Sequence, residues 1–294
     1  MINDKLQMTV IMMQDIQMNQ IDYLVVGHIC SDLTPAGTKV GGTVAYAGRT
    51  AETLGYQTAV LTSAAKDYNF EQALPHIRVH HITAAKTTTF ENIYTSIGRQ
   101  QRIHSIAESL RAEHMPKDWL RSQIVHLGPL VDEVEPELIH LFDDSLVGLT
   151  LQGWMRSWDE NGRVFARNWP AASEILPLAT AVILSEEDLV DTKTLEDLRR
   201  WSKLLVLTQG SRGCTIFHGD EMRHIPTEPI RDVDPTGAGD VFAAAFLVRL
   251  HQTGGNPWEA GRFANEIATA TIAHDDLEAK VAQIKQMVDL MRPN

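Results

Sequence analysis

The sequence predicts an α/β domain built on a mainly parallel sheet with helices on both faces and a small antiparallel insertion. Three observations point there. Short continuous apolar runs (Tyr23–Val26, Ile124–Leu127, Leu146–Thr150, Ala181–Leu184 and Leu204–Leu207) suit strands covered on both faces. Helical stretches alternate with them, the pattern that builds parallel sheets. Near the C-terminal end, Asp234-Pro-Thr-Gly-Ala-Gly-Asp240 delivers the chain through a tight turn into the apolar segment Val241–Val248, which reads as a helix start.

With 294 residues, 44% of them hydrophobic and 22% charged, the chain suffices for one large domain or two smaller ones, and no repeat or linker divides it. The formal net charge of −12 disfavours a nucleic-acid partner, which needs a clustered basic face. No apolar run approaches the roughly 20 residues that cross a bilayer. Met1–Leu6 lacks the basic end of a signal peptide, so a cytoplasmic protein with no membrane partner is expected. Cys30 and Cys214 lie far apart in apolar strand patterns and read as reduced buried thiols. His80 and His81, adjacent on a strand, point to opposite faces and make a poor zinc pair.

Residues 1–20, rich in Met, Gln and Asn, read as an extension, and residues 21–294 as a single domain. The first strand, Tyr23–Val26, ends at Gly27-His-Ile-Cys-Ser-Asp32, so Asp32 stands beyond a strand C-terminus, where open parallel sheets bind ligands, or else terminates a loop. Gly41-Gly42 opens a helix running to about Leu54, a pair that permits close backbone approach. Strands follow at Gln57–Thr62 and Ile77–Ile82. Thr87–Tyr94 and Gln101–Ile106 alternate like an antiparallel pair, either a surface hairpin or a cover over a site, and Asn92 on it is a candidate hydroxyl contact.

Strands at Ile124–Leu127 and Leu146–Thr150 flank a helix around Pro136–Phe142. Beyond the second, Leu151-Gln152-Gly153-Trp154-Met-Arg156 places a guanidinium that suits bidentate capture of an oxyanion or, equally, a solvated surface charge. Asp159-Glu-Asn161-Gly162 reads as a hairpin turn with positive φ at Asn-Gly. Ala181–Leu184 feeds Ser185-Glu-Glu-Asp188, acidic residues that suit a helix start. Leu204–Thr208 and Cys214–Phe217 are strands joined through Gly210 and Gly213; helices at Trp258–Ala273 and Leu277–Met291 close the chain.

The chemistry concentrates at 234–240. First-turn amides have no intrahelical partner, the helix dipole places positive charge there, and Gly237 and Gly239 let a phosphate approach the backbone. A carboxylate at this place is ordinarily a cap. Here the glycines leave a concavity, and Asp240 beside a bound phosphate is what phosphoryl transfer to a hydroxyl requires.

This motif, with the small-residue helix behind it, resembles the C-terminal signature of the ribokinase/PfkB family of carbohydrate kinases. The resemblance runs from about residue 21 to 290 and implies a ribokinase-like three-layer sandwich with a β lid over segments about 33–42 and 87–107, which in relatives often forms a dimer contact. It implies an ATP-dependent kinase for a sugar, polyol or inositol-like alcohol, with Mg2+ and, in some relatives, a monovalent cation. Gly237, Ala238 and Gly239 then form the anion hole and Asp240 is the base, while Asp32 and the backbone of Gly41 and Gly42 hold the acceptor. Tyr46 stands where relatives carry an Asn, and Thr150 and Gln152 replace an Asp-x-Asn motif. Gln152-Gly with Arg156 is similar to the inositol-kinase-like branch. The nucleotide falls to Thr208, Gly210, Gly213, Val233 and Asn265; the metals fall to Ser185 and Asp188, counterparts of Asn-x-x-Glu, and to Asp234. Two other readings stay open: a nucleoside kinase of the same family, and a kinase relative reduced to a small-molecule-binding regulator. A dinucleotide oxidoreductase and a P-loop NTPase are disfavoured, because G-x-G-x-x-G does not follow the first strand and G-x-x-x-x-G-K-[ST] is absent.

Overall fold

A computed structural model of the protein describes residues 20–35, 37–95, 98–228 and 234–291. In chain order the strands are β1 (Tyr23–Val26), β2 (Cys30–Thr34), β3 (Gly37–Gly41), β4 (Thr58–Ala65), β5 (Arg78–Ala84), β6 (Thr88–Thr95), β7 (Gly98–Ser105) and β8 (Ile124–Leu127). They continue as β9 (Leu146–Thr150), β10 (Arg156–Trp158), β11 (Val164–Ala166), β12 (Ala181–Ser185), β13 (Leu204–Thr208), β14 (Cys214–His218) and β15 (Glu221–Ile225). The α-helices are α1 (Thr43–Thr53), α2 (Phe70–Ala73), α3 (Ala172–Ile175), α4 (Thr192–Trp201), α5 (Ala238–Gln252), α6 (Pro257–Thr271) and α7 (Leu277–Met291).

Among the described residues nine strands form the central sheet, in the order β15-β14-β13-β12-β9-β8-β1-β4-β5. The strands from β13 to β5 pair parallel, and β14 and β15 add an antiparallel edge. Strands apolar throughout are apolar because both faces are covered. Tyr23, Val25, Val60, Ile183 and Val206 join the cluster under α1, α5, α6 and α7, whereas Leu24, Val26, Leu61, Val182 and Leu205 join the opposite one with α3 and α4. Helix α5 is buried around nearly its whole circumference, from Val241 to Val248, which accounts for its lack of a polar stripe. No helix among the described residues is long and apolar enough to cross a membrane.

The sheet order fixes where a ligand enters. From β1 the chain builds outward through β4 and β5, then crosses to the other side of β1 for β8, β9, β12 and β13. The order reverses beside β1, and the crevice at such a reversal lies beyond the strand C-termini. The loops leaving β1 and β8 are locked by the buried carboxylate of Glu133, which accepts N–H bonds from His28 (2.9 Å), Leu130 (2.8 Å) and Val131 (2.7 Å). His28, fully buried, ties this point to the start of β6 through Thr88 Oγ1 (2.7 Å) and to the segment after β7 through the Glu108 carbonyl (2.8 Å). A second sheet, β3-β2-β6-β7, stands over this end of the crevice.

Three local expectations differ from what the chain does. Residues 136–141 form a 3-10 helix, and Ser185 caps a single 3-10 turn with α4 starting only at Thr192. In the β10–β11 turn only Gly162 takes positive φ (+75°); the turn is held by Asp159, whose Oδ1 accepts from the amides of Asn161 and Arg163. A local side-chain bond replaces the strained Asn conformation. The readings on residues 1–19 and on Val233 lie outside the described residues.

Within the sheet a fully buried His126 joins the Tyr23 hydroxyl at Nδ1 (2.9 Å) to Thr150 Oγ1 at Nε2 (3.1 Å), and burial pushes its pKa down to about 3. A depressed imidazole contributes stability that is fully present above its unfolded value of about 6.5 and is lost as pH falls toward the folded value, about 1.4 kcal/mol per pH unit. Denaturant unfolding between pH 6.5 and 4.5 is expected to show this slope for wild type and a slope shallower by that amount for His126→Gln. Parallel slopes would contradict the assignment.

Candidate active site

A cleft of about 510 Å³ opens beyond the C-termini of β1, β8, β9, β12 and β13. Its floor is the start of α5. Gly237, the residue before the helix, adopts a left-handed conformation (φ 76°, ψ −1°), and a Cβ placed on it would lie 2.3 Å from the ring of Tyr46. Only glycine permits both the turn and that contact. The Thr236 amide donates to Asp234 Oδ1 (2.9 Å) and the Ala238 amide to the Pro235 carbonyl (3.0 Å). Ala238 is therefore spent on closing the turn, and the first-turn donors left to face an anion are the amides of Gly239 and Asp240. Gly239 borders open space, with no atom within 4 Å of a would-be Cβ.

Asp240 lies in the same helical turn, half-buried against the cleft. Burial pushes its carboxyl up to about 6; a hydrogen bond with Thr43 and the Arg156 guanidinium pull it down, while Asp32 and Asp188 push it up. Such a value sits close to neutral pH, where a group that takes and returns a proton works best.

At one end of the cleft stand Asp32, Gly42, Tyr46, Gln152 and Arg156, as the sequence suggests, together with Cys30, Phe90, Gln101 and Leu130. Gly42 (φ 95°) packs on the His28 carbonyl and Gly41 on the Asp32 carboxylate, so the glycine pair lets β3 close onto β2. Gly41 stands behind Asp32 and does not line the cleft. Asn92 is likewise set back: its Oδ1 accepts from Gln101 Nε2 at 3.0 Å, and Gln101 is the residue that reaches the cleft. Arg156 and Asp188, both largely buried, approach to 3.9 Å.

At the other end are Thr208, Gly210, Ser211 and Gly213, and beyond them Thr227, Glu228, Ala268, Thr269 and Ile272. Asn265 borders this end, but its amide nitrogen donates to the carbonyls of Ile225 (2.9 Å) and Pro226 (3.4 Å). It clamps β15 to α6 and has no donor left for a purine, which corrects the expectation from sequence.

The expected metal residues do not assemble. Asp188 accepts from the Ser185 amide (3.3 Å) and faces Arg156, Ser185 Oγ accepts from the Glu187 amide, and Asp234 lies behind the turn. Among the described residues no three His, Cys, Asp or Glu side chains converge on a metal position. A resident magnesium site does not fit these residues. Near Asp234, the place expected for a monovalent cation, the Lys280 ammonium donates to the Asp234 carbonyl at 2.6 Å. That ammonium already supplies a positive charge at this place and repels a second cation beside it.

Sequence reading passed over Thr43, Phe90, Gln101 and Lys280. Thr43 carried a signal, since it follows the glycine pair directly; Lys280 carried none, being a charged residue on an amphipathic helix.

The sheet order, with its switch point beside β1, is that of the ribokinase-like α/β fold. Residues 148–282 match the pfkB family carbohydrate kinase model. The chain is 26% identical over 245 residues to the cytidine kinase of Thermococcus kodakarensis, covering 77% of this chain and 87% of that protein. A pyrophosphate-dependent kinase of the ribokinase family, solved with a pyrophosphate analog and myo-inositol, superposes with a TM-score of 0.75 at 22% identity, covering 86% of this chain and 96% of that one. Arabidopsis thaliana ribokinase, solved with ribose and ATP, superposes with a TM-score of 0.65 at 18% identity, covering 90% and 99%. The chain therefore has a ribokinase-like fold, and a little under half of it, residues 148–282, carries the pfkB family carbohydrate kinase match.

Two glycine substitutions separate shape from binding. Gly239→Ala, placed in open space at a helical position, is expected to melt at or above wild type yet to bind sulfate at least about tenfold more weakly, because the methyl stands where the anion must approach. Gly237→Ala is expected to cost about 1–3 kcal/mol of stability through its positive φ and the Tyr46 contact. Thermal unfolding and sulfate titration of both variants check this; undiminished sulfate affinity in Gly239→Ala would contradict it.

Proposed function

We propose that the protein transfers the γ-phosphoryl group of ATP to a hydroxyl of a sugar, polyol or inositol-like small molecule. The observation that carries this reading is Asp240, a carboxylate near neutral pKa, beside the amides of Gly239 and Asp240 at the middle of a two-ended cleft. The donor lies along Thr208, Gly210 and Gly213 with its terminal phosphoryl at those amides. The acceptor lies among Asp32, Gln152, Arg156 and Gln101. Asp240 takes the proton of the acceptor hydroxyl, the oxygen forms its bond to phosphorus, and the bond to the bridging oxygen of ADP breaks with its electrons leaving on ADP. The amides bear the negative charge of the phosphoryl oxygens through the transfer. Magnesium comes with the nucleotide, and no step is assigned to it. The β3-β2-β6-β7 sheet acts as a lid that keeps water from the phosphoryl group. The extension of the cleft past Gly213 to Thr227, Thr269 and Ile272 leaves room for a nucleotide base, which favours ATP over pyrophosphate as donor.

A nucleoside acceptor is the second reading. Phe90 and Tyr46 place aromatic rings at the acceptor end, and one relative, matched over 77% of the chain, is a cytidine kinase. ADP release measured over fructose, ribose, myo-inositol, cytidine and adenosine distinguishes the two; no ADP release with any acceptor would leave only a binding role.

Asp240→Asn is expected to keep nucleotide binding and lose about 100- to 10,000-fold in turnover. In wild type kcat/KM is expected to rise with pH through about 6, since Asp240 must be ionised to accept a proton. The raised pKa means that its charge destabilises the folded chain above that pH, so Asp240→Asn should also melt higher than wild type at pH 8. Full activity of the variant would refute the role of Asp240.

A further inference from the structure

We propose that Lys280 is a positioning residue whose ammonium, built into the chain, holds the anion-binding turn in its working shape and does so without any added monovalent cation. The inference rests on the reading of residues 234–240 as a phosphoryl site.

Lys280 is 1% exposed and lies in the first turn of α7. Both circumstances disfavour it: the stem is withdrawn from water with its charge, and a cation near a helix N-terminus opposes the macrodipole. Such a placement survives where partners compensate it. Nζ donates to the carbonyl of Asp234 at 2.6 Å. The rest of Asp234 is held as firmly, its amide donating to the Ile272 carbonyl (3.0 Å), its Oδ1 accepting from the Thr236 amide (2.9 Å), and its Oδ2 lying 4.0 Å from Lys39 Nζ. Pro235 follows with a fixed φ, so the direction set at the Asp234 peptide passes into the turn that Gly237 completes.

The platform from which Lys280 reaches is itself anchored. Asp276 Oδ1 caps α7 at the Ala279 amide (2.7 Å), and Glu278 grips the buried Arg49 of α1 through two bonds of 2.7 and 3.1 Å. Helix α1 also carries Thr43 and Tyr46, the contacts of Asp240 and Gly237. The first turn of α7 thus fixes both halves of the anion site, one through Arg49 and the other through Lys280. The charge has a second consequence. Asp32, Asp234 and Asp240 crowd the Tyr46 hydroxyl, and an incoming polyphosphate adds to that negative field. Lys280 behind the turn and Arg156 in front of it are cations that oppose it.

The test uses the full chain and inorganic pyrophosphate, whose binding is measured by calorimetry with tetramethylammonium as the only cation and then with about 100 mM K+. Wild type is expected to bind equally under both conditions. Lys280→Met is expected to bind about 10- to 100-fold more weakly in tetramethylammonium and to recover most of that loss when K+ or methylammonium fills the vacated place. A wild-type affinity that rises about tenfold or more with K+ would overturn the proposal, as would wild-type binding by Lys280→Met or a loss that neither cation restores. The wild-type comparison decides the matter even where the variant does not fold. Absence of pyrophosphate binding by wild type in both buffers would instead overturn the phosphoryl site, and this inference with it.

Discussion

The left-handed turn at Gly237, seated on the ring of Tyr46, is the constraint on which the site depends. A side chain there would meet the ring, and a right-handed conformation would swing the first turn of α5 away from the crevice. Because the turn holds, the amides of Gly239 and Asp240 and the carboxylate of Asp240 arrive together. α5 is in turn fixed by burial on almost every side, so the position of its first residues is set by packing against the sheet and not by the loop alone. A catalytic group on the end of a buried helix is held more tightly than one on a loop.

The second constraint is electrostatic. The chain carries a net charge of −12, and Asp32, Asp188 and Asp240 crowd one cleft that is read as binding a polyphosphate. Two things reconcile these facts. The attraction for an anion is supplied by main-chain amides, whose partial charge does not register in a residue count. Burial first, and the neighbouring Asp32 and Asp188 after it, raise the Asp240 carboxyl to about 6, the range that suits the proton acceptor proposed for this site. Arg156 moderates both effects, being drawn to Asp188 and pulling down the pKa of Asp240.

Much of the fold was legible because the central strands are apolar along their whole length, a signature that survives without knowledge of partners. The site was legible where function constrains the backbone: Gly237, Gly239 and Gly42 announce themselves through composition. It was less legible where a side chain is chosen by what surrounds it. Asn92 and Gln101 are direct cross-strand partners on one face, and only the side-chain contacts show that Gln101 borders the cleft while Asn92 accepts its amide hydrogen. Asn265 has the residue type and helix position of a ligand, yet the exit of β15 absorbs its donor. Asp188 and Ser185 look like metal residues in line but fold onto each other in a single 3-10 turn. Ala238 sits within the glycine motif, and only the turn geometry shows its amide engaged with Pro235.

The most direct measurement of the central claim is the position of a bound anion. In crystals soaked with selenate, anomalous scattering locates the selenium without reference to any assumed substrate. It is expected in the cleft with its oxygens within about 3 Å of the Gly239 and Asp240 amides and facing the Asp240 carboxylate. Selenium found elsewhere in the cleft, with those two amides turned to other partners, would contradict the assignment of this helix start as the phosphoryl site.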